Sequence, residues 1–209
     1  MKGILLKDWY VIWKQGKFMF LLALLYLFMT AMGSNTFFGG FAVLFLSMLP
    51  ITVMGLDERS KWDRFAVALP VSRKQLVVEK YLCSLIGLGT GAALYLIFAV
   101  AGAVFTHRAV NLAVLLVALS PMLSAGLLFS AVSFPVILKA GVEKGRLWFL
   151  LIIAFLAAML GGLLALSSGE GEIPQFLSSG GLLWILPIAI LLFVLSIPLS
   201  IRIYNKREL

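Results

Sequence analysis

Charge is scarce in this sequence, and over long runs it is missing altogether. Five blocks contain no Asp, Glu, Lys or Arg: Phe18 to Leu56, Tyr81 to Thr106, Ala109 to Leu138, Leu147 to Gly169 and Ile173 to Ile201. A charge within a span is the usual mark of ion coupling or proton relay, so ion-driven transport is disfavoured. Histidine is reduced to His107 and cysteine to Cys83. A single histidine beside Arg108, at the end of a block, supplies neither a Ser/His hydrolase nor a histidine metal site. A single cysteine forms no intrachain disulfide, and Cys83 reads as a small buried apolar residue. Also lacking is the glycine-rich run ending in Lys and Ser or Thr that wraps nucleotide phosphates, since Gly16 and Lys17 stand without the rest. No catalytic residue, metal ligand or cofactor contact is therefore expected in the chain, and the energy for any work on a substrate has to arrive from another subunit.

What fills the sequence instead is apolar: 62% of 209 residues, with 12% charged and a mean hydropathy of +1.09. Soluble domains do not have this composition. A helix needs about 20 apolar residues to cross the roughly 30 Å hydrocarbon layer, so the first block holds two passes, broken at Gly33, Ser34, Asn35 and Thr36. The expected spans are 18–33, 37–56, 81–105, 111–138, 147–167 and 180–201. They lack the alternation of outer-membrane strands, and backbone amides in lipid must be bonded within the segment, so all six are read as helices. The fold class expected is an all-α polytopic membrane protein forming a single transmembrane domain over residues 1–209.

Basic residues give the orientation. Lys2, Lys7, Lys14 and Lys17 precede span one; Arg59, Lys61, Arg64, Arg73, Lys74 and Lys80 separate spans two and three; Lys139, Lys144 and Arg146 separate spans four and five; Arg202, Lys206 and Arg207 follow span six. Only Arg108 of the seventeen falls on the other side. Because Lys and Arg are retained on the cytosolic side during insertion, both termini and both polar loops are expected inside. That explains the net charge of +8 without nucleic acid as a partner. No small-residue cleavage site follows the first block, so a cleaved signal peptide is not expected.

Three polar segments carry further pattern. Over residues 1–17, Leu5, Leu6, Trp9, Ile12 and Trp13 share one arc of a helix, with Lys7, Asp8, Lys14 and Gln15 opposite and Ile4 and Val11 interrupting the polar side. Trp9 and Trp13 suit the headgroup zone, so this reads as an interfacial amphipathic helix and the two tryptophans as its anchors. Over 57–80, Trp62, Phe65, Ala66 and Leu69 follow helical spacing while Arg59, Lys61, Asp63 and Arg64 cover the remaining face. Pro70 ends that helix, and Ser72 and Gln75 have the spacing of a capping box that starts a cytosolic extension of span three. The short helix suits docking to a cytosolic partner; resting on anionic headgroups is the alternative. Over 168–179, Gly169, Glu170, Gly171 and Glu172 lead to Pro174, which suits either a brief surface helix or a plain acidic loop.

Within the spans, Pro50, Pro121, Pro135, Pro187 and Pro198 free backbone carbonyls and favour kinks. Gly87, Gly89, Gly91, Ala92 and Ala93 in span three, and Ala157, Ala158, Gly161 and Gly162 in span five, permit close helix packing.

The Lys-Asp-Trp start, the six expected spans, and the run Asp57-Glu58-Arg59-Ser60-Lys61-Trp62 leading to Leu69-Pro70-Val71-Ser72-Arg73-Lys74-Gln75 resemble the bacterial ABC type 2 transporter permeases. More narrowly, the chain looks like the membrane subunits of phenol-soluble modulin and lantibiotic-immunity exporters. The resemblance implies a subunit in the bacterial cytoplasmic membrane that pairs with a second permease copy as a homodimer and binds two copies of a cytosolic ABC ATPase. That ATPase would hold ATP and Mg. It also implies export of amphipathic peptides, of toxin or antimicrobial type, or of other lipophilic compounds. The coupling helix of the family maps onto Glu58 to Leu69, so Glu58, Arg59, Lys61, Trp62, Arg64, Phe65, Leu69 and Pro70 are the expected ATPase-coupling residues. The reading opposed to it is a non-transporting membrane anchor or assembly protein.

Overall fold

The computed structural model describes residues 2–33, 37–62, 65–66, 72–107, 112–142 and 181–206, and each regular element among them is an α-helix. The chain opens with α1 (Lys2–Gln15) and α2 (Lys17–Ala31), which meet at a 69° bend. Gly16 forms the corner. Its φ of −78° is open to any residue, and the reason for glycine is space: a Cβ there would stand 2.5 Å from the Ile12 carbonyl oxygen and 3.3 Å from Leu49. The first span was expected over 18–33; the helix there, α2, has fifteen residues and reaches membrane-spanning length only together with α1.

The second span, expected over 37–56, is two helices in line, α3 (Phe37–Ser47) and α4 (Leu49–Arg59), which together form one 22-residue helix from Phe38 to Arg59. Pro50 accounts for the break at Met48, because it has no N–H to continue the ladder. The helix also runs past the apolar block and carries Asp57 and Glu58 on its last turn.

Next come α5 (Arg73–Phe105), α6 (Leu112–Ala140) and α7 (Gly181–Asn205). The expected capping box opens α5: the Gln75 N–H donates to Ser72 Oγ at 3.3 Å, and the Ser72 N–H donates to Gln75 Oε1 at 3.1 Å. Its 33 residues make a helix of about 50 Å at 1.5 Å per residue, longer than the hydrocarbon layer. Where spans four and six were expected, over 111–138 and 180–201, the structure has the helices α6 and α7. Among the described residues, four helices are long and apolar enough to cross a membrane, and the bent α1–α2 pair makes a fifth candidate. Span five and the 168–179 loop lie outside the described residues.

Close packing of small residues sets the helix spacing. A Cβ at Gly87 would run into the Leu46 carbonyl of α3, and one at Gly102 into the Ala31 backbone of α2. Leu27, Val43, Leu46, Val53, Tyr95 and Phe134 are almost fully buried between the helices. Where lipid replaces water outside, apolar exposure is required rather than costly; accordingly Leu21, Leu25 and Phe28 of α2 and Ile188, Leu191, Leu195 and Leu199 of α7 face outward. Hydroxyls tie the interior across helices. Tyr81 shares hydrogen bonds of 2.7 Å with both Ser196 and Ser200, Ser84 shares one of 2.7 Å with Ser130, and Ser196 donates to the Ala131 carbonyl.

Candidate functional site

One end of the bundle gathers the ends of several helices. The Arg73 guanidinium at the start of α5 donates to the Asn205 carbonyl at the end of α7. A cleft of about 50 Å³ is lined by Ile4 of α1, Asp57 of α4, Trp62, Lys80 of α5, Val142 after α6 and Tyr204 of α7. The ends of α4, α6 and α7 and the start of α5 therefore share a face with α1.

Two stripes divide α1. Ile4, Asp8 and Ile12, four residues apart, are buried against the bundle, while Leu6, Trp9, Tyr10 and Trp13 are exposed. The expected anchors Trp9 and Trp13 thus point outward. The sequence arc grouped Ile12 with those tryptophans and left Asp8 on a polar side, whereas the structure turns Asp8 and Ile12 inward together. Ile4 and Val11, the residues that interrupted that polar side, belong to the packed interior.

Asp8 enters a largely buried cluster of charge, in which Lys7 is the most exposed member. Lys7 donates to Asp57 at 2.6 Å and lies 3.0 Å from Asp8; Lys80 donates to Asp57 at 2.8 Å and to the second Asp8 oxygen. Glu79 is 3.6 Å from Lys80 and accepts from the Cys83 thiol at 3.3 Å. Burial by itself would raise the Asp8 carboxyl, but the Lys80 ammonium bonded to it and the nearby Lys7 charge outweigh it and hold the group below its ordinary value. Asp8, Glu79 and Cys83 bring donor atoms within 4.8 Å of one another, the kind of set that could hold a metal ion. Here the Lys80 ammonium stands against both carboxylates, bonded to Asp8 and 3.6 Å from Glu79. Because the partners come from α1, α4 and α5, the cluster fixes the position of three helices. Removing one member of such a buried set costs far more than breaking a surface pair.

The expected coupling residues divide around this cluster. Trp62 is half-buried, with the Lys7 ammonium 4.4 Å from its ring centroid. Phe65 is 67% exposed while Ala66 is fully buried, so the segment turns one side inward and Phe65 outward. Arg59 and Lys61 are exposed. Lys61 has φ of +54°, a left-handed backbone that ends α4 and separates it from Trp62. Glu58 faces the bundle, and its carboxylate accepts from the Val142 N–H at 2.6 Å. Arg64, Leu69 and Pro70 lie outside the described residues.

Sequence reasoning did not single out Asp8, Asp57, Glu79 or Lys80 as a group. The available signal was small: Asp8 sits midway between Ile4 and Ile12 at helical spacing, and Asp57 and Lys80 bound the two uncharged blocks that become neighbouring helices.

Comparison with curated proteins and with solved structures gives no match. Residues 3–205 match the family model described as ABC-2 family transporter protein. That match covers nearly all of the sequence, and together with the long apolar helices it makes the chain a multi-pass permease of an ABC transporter, a class that works with an ATPase partner in a lipid bilayer. The chain belongs to the ABC-2 family of transporter membrane proteins.

Proposed function

We propose that the chain is the permease half of an ATP-driven exporter in the bacterial cytoplasmic membrane. It works as a homodimer with two cytosolic ATPase subunits that bind ATP and Mg, and has no nucleotide site of its own. The observation that carries this reading is the position of Trp62. It stands where α4 ends, against the buried charges that lock α1, α4 and α5, with exposed Phe65 three residues further on. A push on the 58–70 segment from the cytosol would move three helices as a unit.

Six spans with both termini inside belong to this reading. Helices α6 and α7 end at the same face, so they run parallel, and parallel neighbours need a return crossing between them. The uncharged run from Leu147 to Gly169 is long enough to make it. In this orientation α1 lies at the inner headgroups with Trp9 and Trp13 outward.

Cargo of an amphipathic or lipophilic kind, including the peptides moved by phenol-soluble modulin and lantibiotic-immunity exporters, suits a bundle whose spans contain hydroxyls but no charge. The test is co-purification with a cognate ABC ATPase. Trp62→Ala combined with Phe65→Ala should abolish binding and activation of the ATPase, and full retention of both would refute the docking assignment.

A further inference from the structure

The buried charges join α1, α4 and α5, yet α6 also ends at this face, and one side chain ties it in. Helix α6 closes at Ala140, and Gly141 follows with φ of +81° while its N–H still donates to the Ile137 carbonyl at 2.8 Å. The next N–H, that of Val142, would ordinarily return to a carbonyl of the last turn. It donates instead to Glu58 Oε2 at 2.6 Å, across 84 residues of sequence. The other carboxylate oxygen stands 2.5 Å from where a Cβ on Gly141 would be, so glycine there answers both the left-handed backbone and the approach of Glu58. A separate contact points the same way: one turn earlier on α4, a Cβ at Gly55 would lie 3.4 Å from Val142 Cγ1. The last turn of α4 is thus forked. Asp57 reaches the lysines of α1 and α5, and its neighbour Glu58 caps α6.

We infer that Glu58 is a positioning residue that carries displacement of the 58–70 segment to α6 and holds the start of the second polar loop in register with the first. It does so as a C-terminal cap made by a charged acceptor on another helix, a bond stronger than a neutral one and directional enough to transmit a shift. This assignment rests on the ATPase-driven reading above and alters one part of the expected coupling set: Glu58 acts inward on α6, and contact with the ATPase is left to exposed neighbours such as Phe65.

The test uses the full permease with its ATPase in lipid nanodiscs, in a Cys83→Ser background. Gly55→Cys with Val142→Cys reports whether α4 and the end of α6 stay in contact, by disulfide crosslinking. Glu58→Ala is expected to reduce that crosslink, to leave ATPase co-purification intact, and to lower permease-dependent stimulation of ATP hydrolysis by roughly tenfold. Glu58→Gln keeps an acceptor oxygen and should restore part of both signals. Loss of co-purification in Glu58→Ala would make the residue a docking contact and overturn the assignment, as would stimulation and crosslinking at the parental level. If the parental permease binds no ATPase, the transmission role falls together with the reading it rests on. If it binds and the Glu58 variants crosslink and stimulate as the parent does, the positioning role alone is refuted.

Discussion

The Lys7 ammonium lies 4.4 Å from the centroid of the Trp62 ring, while the same ammonium donates to Asp57 at 2.6 Å. One side chain of the N-terminal helix therefore touches both the end of α4 and the first residue after its closing turn. The position of Trp62 is set by α1 as much as by its own segment. A double-mutant cycle with Lys7→Met and Trp62→Leu should give a coupling of about 1 kcal/mol in thermal unfolding, in the range for a partly buried cation over an aromatic face. Additive effects would show that the contact does not hold Trp62.

Asp57 compensates two lysines at once. Asp57→Ala should lower stability in detergent by about 3 to 5 kcal/mol, because Lys80 keeps its burial and loses an acceptor. Lys61→Ala, at an exposed position, should stay within about 0.5 kcal/mol of the parent. Equal unfolding temperatures for the two variants would contradict the junction.

Two glycines of α5 make an internal control for helix packing. Gly87 abuts the Leu46 carbonyl, whereas Gly89 has open space where a side chain would go. Gly87→Val should cost about 1 to 3 kcal/mol or reduce folded yield, by forcing α3 and α5 apart. Gly89→Val should fold as the parent does, and size-exclusion profiles of the two variants decide the matter.

Tyr81 anchors α5 to α7 through Ser196 and Ser200, and its ring meets Phe134 and Phe193 edge-on at centroid distances of 4.8 and 5.2 Å. Tyr81→Phe keeps the ring contacts and removes the hydroxyl, so the expected cost is about 1 kcal/mol. Tyr81→Ala should cost about 3 to 5 kcal/mol. A thermal series in which the two are equal would assign the stability to the hydroxyl instead.

The apolar helices were legible because lipid demands uncharged runs of a fixed length, and those runs are bounded sharply at Asp57, Lys80 and Lys139. The Ser72 cap was legible for a similar reason, since its partner Gln75 lies three residues away. The charged junction was not. Lys7, Asp8, Asp57 and Lys80 each look like ordinary flanking charges, and what makes them a site is the 69° turn at Gly16 that folds α1 back over the ends of α4 and α5. A helical wheel cannot show which polar side chain will find a buried partner on another helix. That is why Asp8 was assigned to the solvated side. The capping of α6 by Glu58 was hidden for the same reason, its acceptor and donor being far apart in sequence.

The central claim is that force enters near Trp62 through a cytosolic ATPase. A photo-crosslinking amino acid placed at exposed Phe65, in cells that express the permease with its ATPase, tests it directly. The account predicts a covalent adduct with the ATPase subunit that changes in yield when ATP hydrolysis is blocked. Adducts with phospholipid alone, unaltered by nucleotide state, would contradict it.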